Sequence, residues 1–197
     1  MVPLHHPLYW VRWLPGSLAR WLCPFMALDP SALHQIRPMS EADLDEVSAI
    51  EAMTFPDPWP RHALAHEALR NPFCWAFVIG PEGSVAGYAF LWVLYEQAHL
   101  INIAVAREKR GQGFGEAMLI HVLQYARAQG GEKIHLEVRE SNEAAIALYK
   151  KHGFEVLGRK NKYYSDGAPA LMMEADLRPQ SRPGEGARGQ QAAEKLP

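Results

Sequence analysis

Cysteine is almost missing from this chain of 197 residues, with Cys23 and Cys74 its only two. They make no CxxC pair and no disulfide framework, which fits a reducing compartment and a cytoplasmic location. Cys74 is flanked by apolar residues and reads as core filler rather than as a catalytic thiol. No apolar run approaches the ~20 residues that a membrane span needs, so no membrane association is expected. The formal net charge is only -2, so no overall basic field exists to hold nucleic acid. GxSxG and GxxxxGK[ST] are both absent, which removes the serine-hydrolase elbow and the phosphate-binding P-loop. His62 and His66 have helical i,i+4 spacing but no third ligand can be named, so a solvated helix face is expected and no metal.

What is present suits one globular domain. Hydrophobic residues make up 48% and charged residues 21% of the chain, ordinary values for a packed core. Residues 1–32 interleave Tyr9, Trp10, Trp13 and Trp21 with Pro7, Pro15, Gly16 and Pro24. Pro15-Gly16 would break an amphipathic helix there, and no uninterrupted apolar stretch marks a secretory signal. The segment reads as a disordered extension, with Met26 available as a second start; the other reading is an interfacial or partner-binding segment. Residues 178–197 are rich in Pro, Gly, Gln and charge and read as a disordered tail. The folded unit is therefore expected at residues 33–177.

Within that unit a short strand is expected at His34–Arg37. A helix capped by Ser40 follows to about Met53, with Leu44, Val47 and Ile50 on one face. Pro56, Pro58 and Pro60 mark a rigid loop around Phe55 and Trp59, and a second helix spans Arg61 to Arg70. Strands are expected at Cys74–Ile79, Ser84–Tyr95 and Gln97–Val105. Leu119, Val122, Leu123 and Ala126 give a helix that Gly130-Gly131 stops. Lys133–Val138 reads as a strand and Asn142–His152 as a helix, followed by strands at Phe154–Tyr164 and Ala168–Leu177. This order, βααβββαβαββ, suggests an α/β architecture with a mixed sheet and helices on both faces.

Two stretches carry chemistry. The first is Arg107-Glu-Lys-Arg-Gly-Gln-Gly-Phe-Gly115, between a strand and a helix. Its alternating glycines let the backbone close around an anion, and the next helix points unpaired N–H groups at the same place. Arg107, Lys109 and Arg110 add charge, so a pyrophosphate suits the loop better than a plain flexible turn. A dinucleotide fold fails on spacing: counting from Gly111 and Gly113, the third glycine position is occupied by Glu116. The second stretch is Leu136-Glu-Val-Arg-Glu-Ser-Asn142, running into Ala144-Ala-Ile-Ala-Leu-Tyr149. Alternation puts Glu137 on the strand face opposite Leu136 and Val138. Spacing alone leaves Glu137 open between an exposed strand face and a functional acid, and Tyr149 between a core-edge aromatic and a proton donor.

Taken together these stretches resemble a known family. Arg110-Gly-Gln-Gly-Phe-Gly115 is similar to the Q/R-x-x-G-x-G/A motif of GNAT acetyltransferases. Ile101-Asn-Ile-Ala-Val105, Leu136–Asn142 and Ala144-Ala-Ile-Ala-Leu-Tyr-Lys-Lys-His-Gly-Phe154 resemble the ribosomal-protein-alanine N-acetyltransferase (RimI) type, as do Phe55–Trp59 and Tyr163–Gly167. The resemblance implies the GNAT fold, a mixed sheet of about six to seven strands that splays open between Gln97–Val105 and Lys133–Val138. Acetyl-CoA would wedge into the opening. Backbone groups of Ile103, Ala104 and Val105 would hold its arm and thioester. Arg110, Gly111, Gln112, Gly113, Phe114, Gly115 and Glu116 would surround the pyrophosphate, and Asn142 would bond the arm. Glu137 matches the family's general base and Tyr149 its general acid.

The activity so implied is acetyl transfer to the N-terminal α-amine of a protein, with a ribosomal protein beginning with alanine as the acceptor that the resemblance suggests. It needs neither metal nor covalent enzyme intermediate. Acetylation of lysine or a small amine, and a catalytically silent CoA-binding module, are the alternatives. The acceptor would be the chief partner, and the enzyme a monomer or weak dimer. Gly111 and Glu116 stand where relatives often carry arginine, and Glu116 would repel a pyrophosphate unless its side chain turns away.

Overall fold

A computed structural model of the chain describes residues 36–81 and 83–178. The expected extension 1–32, residues 33–35 and the tail beyond Arg178 lie outside the described residues. Strand β1 (Ile36–Pro38) leads through a short 3₁₀ turn (Glu41–Asp43) into helix α1 (Leu44–Thr54), and α2 (Arg61–Leu69) follows. Three strands come next: β2 (Cys74–Ile79), β3 (Gly87–Leu94) and β4 (Gln97–Val105). Helix α3 (Phe114–Ala128), β5 (Lys133–Arg139), α4 (Glu143–Lys151), β6 (Glu155–Lys160) and β7 (Ala170–Asp176) complete the order. Tyr163 and Tyr164, expected at the end of a strand, lie instead in the turn between β6 and β7. Among the described residues no helix is long and apolar enough to cross a membrane.

The seven strands form one sheet in the order β1-β2-β3-β4-β5-β7-β6. All neighbours run antiparallel except β4 and β5, which are parallel. Period-two alternation buries both faces. On one face Phe77, Ile79, Ala89 and Leu91 meet Met118, Leu119 and Val122 of α3 and Tyr149 of α4. On the other, Cys74, Ala76, Val78, Tyr88 and Phe90 meet Leu44, Val47 and Ile50 of α1 and Leu64 of α2. Burial pushes the Cys74 thiol far above its usual pKa, so it is an inert core group. His62 and His66 are exposed, and no cluster that could hold a metal ion occurs among the described residues.

Strand β4 changes parity part-way. Ala98 and Leu100 face α3, whereas Ala104 and Ala106 face α1. The cause is a β-bulge: Leu91 pairs with Leu100, but Phe90 pairs with Asn102, so Ile101 is an extra residue. Ile101 packs towards the α1 side and Asn102 bonds Glu51 of α1, so two successive side chains share one face. Beyond the bulge β4 also leaves β5. The two strands pair only at Gln97↔Lys133, Ala98↔Ile134 and His99↔His135, and then part.

One half-buried histidine makes stability depend on pH. His121 of α3 packs edge-on to Phe77, with ring centroids 4.7 Å apart, and its Nε2 is buried with no hydrogen-bond partner among the described residues. Burial holds its pKa below the usual imidazole value. The unfolded chain therefore binds this proton more readily, so stability is full above the unfolded pKa and falls as the pH drops through it. His121→Leu is expected to raise Tm relative to the parent chain more at pH 5 than at pH 8, as measured by thermal denaturation at both values.

Candidate active site

Where β4 and β5 part, the sheet opens into a cavity of about 890 Å3. Its walls are the outer half of β4 (His99–Val105), β5 (Leu136–Arg139), the end of α1 with the Phe55–Trp59 loop, the start of α4 and the Tyr163–Ser165 turn. The cavity passes between the two strands, so it meets both layers of helices. Tyr149 belongs to the α3–α4 layer, and Glu51, Phe55 and Trp59 belong to the α1–α2 side.

Beyond His99 the edge of β4 that faces the opening has no strand partner among the described residues. Ala106 N–H donates to Ala86 C=O on β3 at 2.8 Å, and a Cβ on Gly87 of β3 would lie 2.7 Å from Ala104 O. Ala104 and Ala106 thus turn their polar groups to β3. Alternation directs those of Ile103 and Val105 to the opposite edge, across the opening. There the Val105 carbonyl accepts from Arg110 Nε at 3.0 Å, while Arg110 also reaches Thr54 Oγ1 at 3.3 Å. Of the residues singled out in the sequence, Ile103, Ala104, Val105, Arg110, Glu137, Asn142 and Tyr149 line this cavity.

Gly111, Gln112, Gly113, Phe114, Gly115 and Glu116 do not line it; they form the turn that carries the chain from the end of β4 into α3. Gly111 and Gly113 have φ of 73° and 87°, a left-handed conformation that other residues adopt at a cost. The first backbone bond after the turn is Ala117 N–H to Gly113 C=O at 2.9 Å. The amides of Gly111 through Glu116 consequently have no backbone acceptor among the described residues, and the positive end of α3 adds to them. Glu116 turns away from the turn: its Oε1 lies 2.6 Å from Lys151 Nζ and 2.9 Å from His152 Nε2, both at the end of α4. The Lys151 bond, with help from His152, holds its carboxyl below the usual range. Asn142 caps α4, its Oδ1 accepting from Ala145 N–H at 3.3 Å.

Glu137 stands on the cavity wall between two basic side chains. Its Oε2 is 2.8 Å from His99 Nε2, and its Oε1 accepts from Lys160 Nζ at 2.8 Å. The His99 bond, then Lys160, outweigh burial and bring the Glu137 carboxyl down to about 2. The His99 ring stacks on His135 with centroids 4.1 Å apart. Across the cavity Tyr149 is buried and packs on Phe154. Burial, reinforced by Tyr164, pushes its hydroxyl far above the usual phenol pKa, so it keeps its proton at neutral pH. Arg139 stacks over the Tyr164 ring at 4.1 Å and pairs with Asp166 at 2.7 Å, and Ser165 Oγ donates to Asp57. The Phe55–Trp59 loop and the β6–β7 turn are thereby joined over the cavity.

Three residues of the site escape the sequence patterns: two that line the cavity and one that bonds a lining residue. His99 and Lys160 are distant in the chain from Glu137, and no local spacing connects them. Glu51 did leave a signal: it follows Leu44 by seven positions and Val47 by four, so it sits on the buried stripe of α1. It is only 1% exposed.

Comparison with known proteins agrees with this geometry. The model of the acetyltransferase (GNAT) family matches residues 44–154. A Bacillus subtilis protein named as a candidate ribosomal-protein-bS18-alanine N-acetyltransferase is 38% identical over 139 residues, covering 70% of this chain and 92% of its own. The Escherichia coli K12 ribosomal-protein-bS18-alanine N-acetyltransferase is 33% identical over 135 residues, covering 67% and 88%. The crystal structure of the Escherichia coli ribosomal-protein-S18-alanine N-acetyltransferase superposes with a TM-score of 0.68 at 30% identity, covering 75% of this chain and 96% of that one. An open sheet with a glycine turn at its mouth, and relatives of this identity and coverage, lead to one conclusion: the chain belongs to the GNAT family and is an N-acetyltransferase of the RimI type.

Proposed function

We propose that the protein acetylates the N-terminal α-amine of a protein, with acetyl-CoA as donor and a ribosomal protein beginning with alanine as the acceptor that its relatives' names favour. The single observation that carries the reading is Glu137 bonded to His99 on the wall of an opening in the sheet, with a protonated tyrosine on the other side. The donor's elongated arm suits the residues present. Ile103 and the Val105 amide offer main-chain groups with no backbone partner among the described residues along the opening, and the amides of Gly111–Glu116 with Arg110 suit a pyrophosphate at its mouth. With Glu116 turned to Lys151 and His152, its charge is not set against the phosphates. Bound there, acetyl-CoA supplies an acetyl group activated as a thioester.

The protein's part is to move two protons and hold two partners. An α-ammonium has a reference pKa of about 8, so removing its proton near pH 7 costs about 1.4 kcal/mol, whereas a lysine at about 10.4 costs several times more. A carboxyl brought down to about 2 is by itself a poor match to that ammonium. Paired with His99 it serves differently: the imidazole takes the proton and the Glu137 carboxylate stabilises the resulting charge. Lys160 fixes the other carboxylate oxygen, so Glu137 is held in one orientation. On the far side Tyr149 holds a proton at its hydroxyl for the departing sulfur. The Val105 amide, facing the opening, suits the role of donor to a developing oxyanion.

Release of free CoA thiol tests the reading. Peptides with a free N-terminal alanine are expected to give release, whereas N-terminally blocked peptides with an internal lysine give little. Release with lysine alone would move the protein to the side-chain acetylating class; acetyl-CoA binding without release from any peptide would support the silent module. Glu137→Gln is expected to lower kcat/KM roughly 100-fold at pH 7, with partial recovery as the pH approaches the amine's own pKa; an unchanged pH–rate profile removes Glu137 from proton transfer. Tyr149→Phe is expected to lower kcat by roughly tenfold or more while the Kd for acetyl-CoA, read by calorimetry, stays close to the parent value. Loss of binding instead would make Tyr149 a packing residue.

A further inference from the structure

Glu51 is a buried acid that the proton path does not use. Its carboxylate lies at the end of α1 with 1% exposure and gathers donors from three other parts of the fold. Tyr88 Oη of β3 donates to Oε2, Asn102 Nδ2 of the β4 bulge donates to Oε2 at 3.1 Å, and Trp59 N–H donates to Oε1 at 3.0 Å. All three partners are donors, which suits an ionised, acceptor-only carboxylate and does not suit the amide of glutamine. The Trp59 bond matters most for the cavity. Pro56, Pro58 and Pro60 have no N–H, so the loop has few main-chain donors with which to anchor itself. Trp59 N–H is one of those few, and Glu51 receives it. Phe55 and Trp59, which the loop carries, form the cavity wall on the side of the sheet away from Tyr149. The Trp59 ring rests on Phe90, with centroids 6.0 Å apart.

We infer that Glu51 is a positioning residue for acceptor selectivity. It ties the Phe55–Trp59 loop to the bulge of β4, and so sets the space that the acceptor's first side chain enters. The acceptor and the reactive edge of β4 are thereby referred to one carboxylate, since Asn102 precedes Ile103 directly. The inference rests on the acetyl-transfer reading for its kinetic arm, but the loop anchor itself is open to a separate measurement.

The test uses the full chain and peptides that begin with Ala, Ser, Leu or Phe. Glu51→Gln is expected to raise KM for the alanine peptide about tenfold and to narrow the spread of kcat/KM across the four, with the Kd for acetyl-CoA moving less than about twofold. Tyr88→Phe is the comparison: it removes a donor to the same carboxylate, but from β3 and not from the loop. It is expected to lower Tm and leave KM and the spread as they are. Equal shifts in both variants, or none in Glu51→Gln, would overturn the inference. Hydrogen exchange at the Trp59 amide, followed by NMR on the parent protein, decides it independently of turnover and of whether Glu51→Gln folds. Protection well beyond that of an open loop supports the anchor, and exchange at the open-loop rate overturns it. If no peptide is acetylated, the acetyl-transfer reading fails while the exchange result still stands for or against the anchor.

Discussion

Parallel strands β4 and β5 hold together for three residue pairs and then separate, and the rest of the molecule answers to that parting. A strand edge in the middle of a sheet carries N–H and C=O groups that must find partners, because leaving them buried and unpaired costs free energy. Here the edge of β4 from Ile103 to Val105 meets a cavity instead of a strand. The fold stabilises the gap from outside. Seven pairs join β5 to β7 on one side and eight join β3 to β4 on the other, while α3 and α4 cover one face. The opening is thus a slot lined in part by main-chain groups with no strand partner among the described residues, which suits an elongated polar ligand able to complete the missing pairing.

The bulge in β4 decides what stands on each side of the slot. Without Ile101 as an extra residue, Ala104 and Ala106 would face α3 and the amides of Ile103 and Val105 would point into β3. With it, the outer half of the strand reverses, Asn102 turns to Glu51 and the free edge faces β5. Charge is arranged with similar economy. Glu116, the acid in the first turn of α3, is paired with Lys151 and bonded to His152. Glu137 keeps its charge between His99 and Lys160. In the proposed reading, one carboxylate is thereby kept from the phosphate end of the site, and the other stands where the amine would arrive.

Much of the fold was legible in the sequence because period and punctuation act locally. The alternation in Cys74–Ile79, the i, i+3, i+4, i+7 pattern in Phe114–Ala128 and the glycines at 111, 113 and 130 each act over a few residues. Strand ends were less legible: Ser84–Val85 reads as strand but forms a turn, and Tyr163–Tyr164 reads as strand but folds into the β6–β7 turn, where Tyr164 meets Arg139. The bulge left no mark, since Gln97–Val105 is a plausible strand in either register. The site was legible as a set of motifs but not as a set of contacts. Glu137 was visible; His99 and Lys160, which set its charge state, are brought to it by β4 and β6. Glu51 was visible as an acid on an apolar stripe, and only the fold supplies its three donors.

In the proposed reading the free edge of β4 and the glycine turn before α3 take up acetyl-CoA. Residue-resolved hydrogen exchange with and without that compound tests it most directly. Slowed exchange is expected at the amides of Ile103 and Val105 and at those of Gly111 to Glu116, with little change in β1 and β2. Uptake that leaves those amides untouched, or no uptake at all, would contradict it.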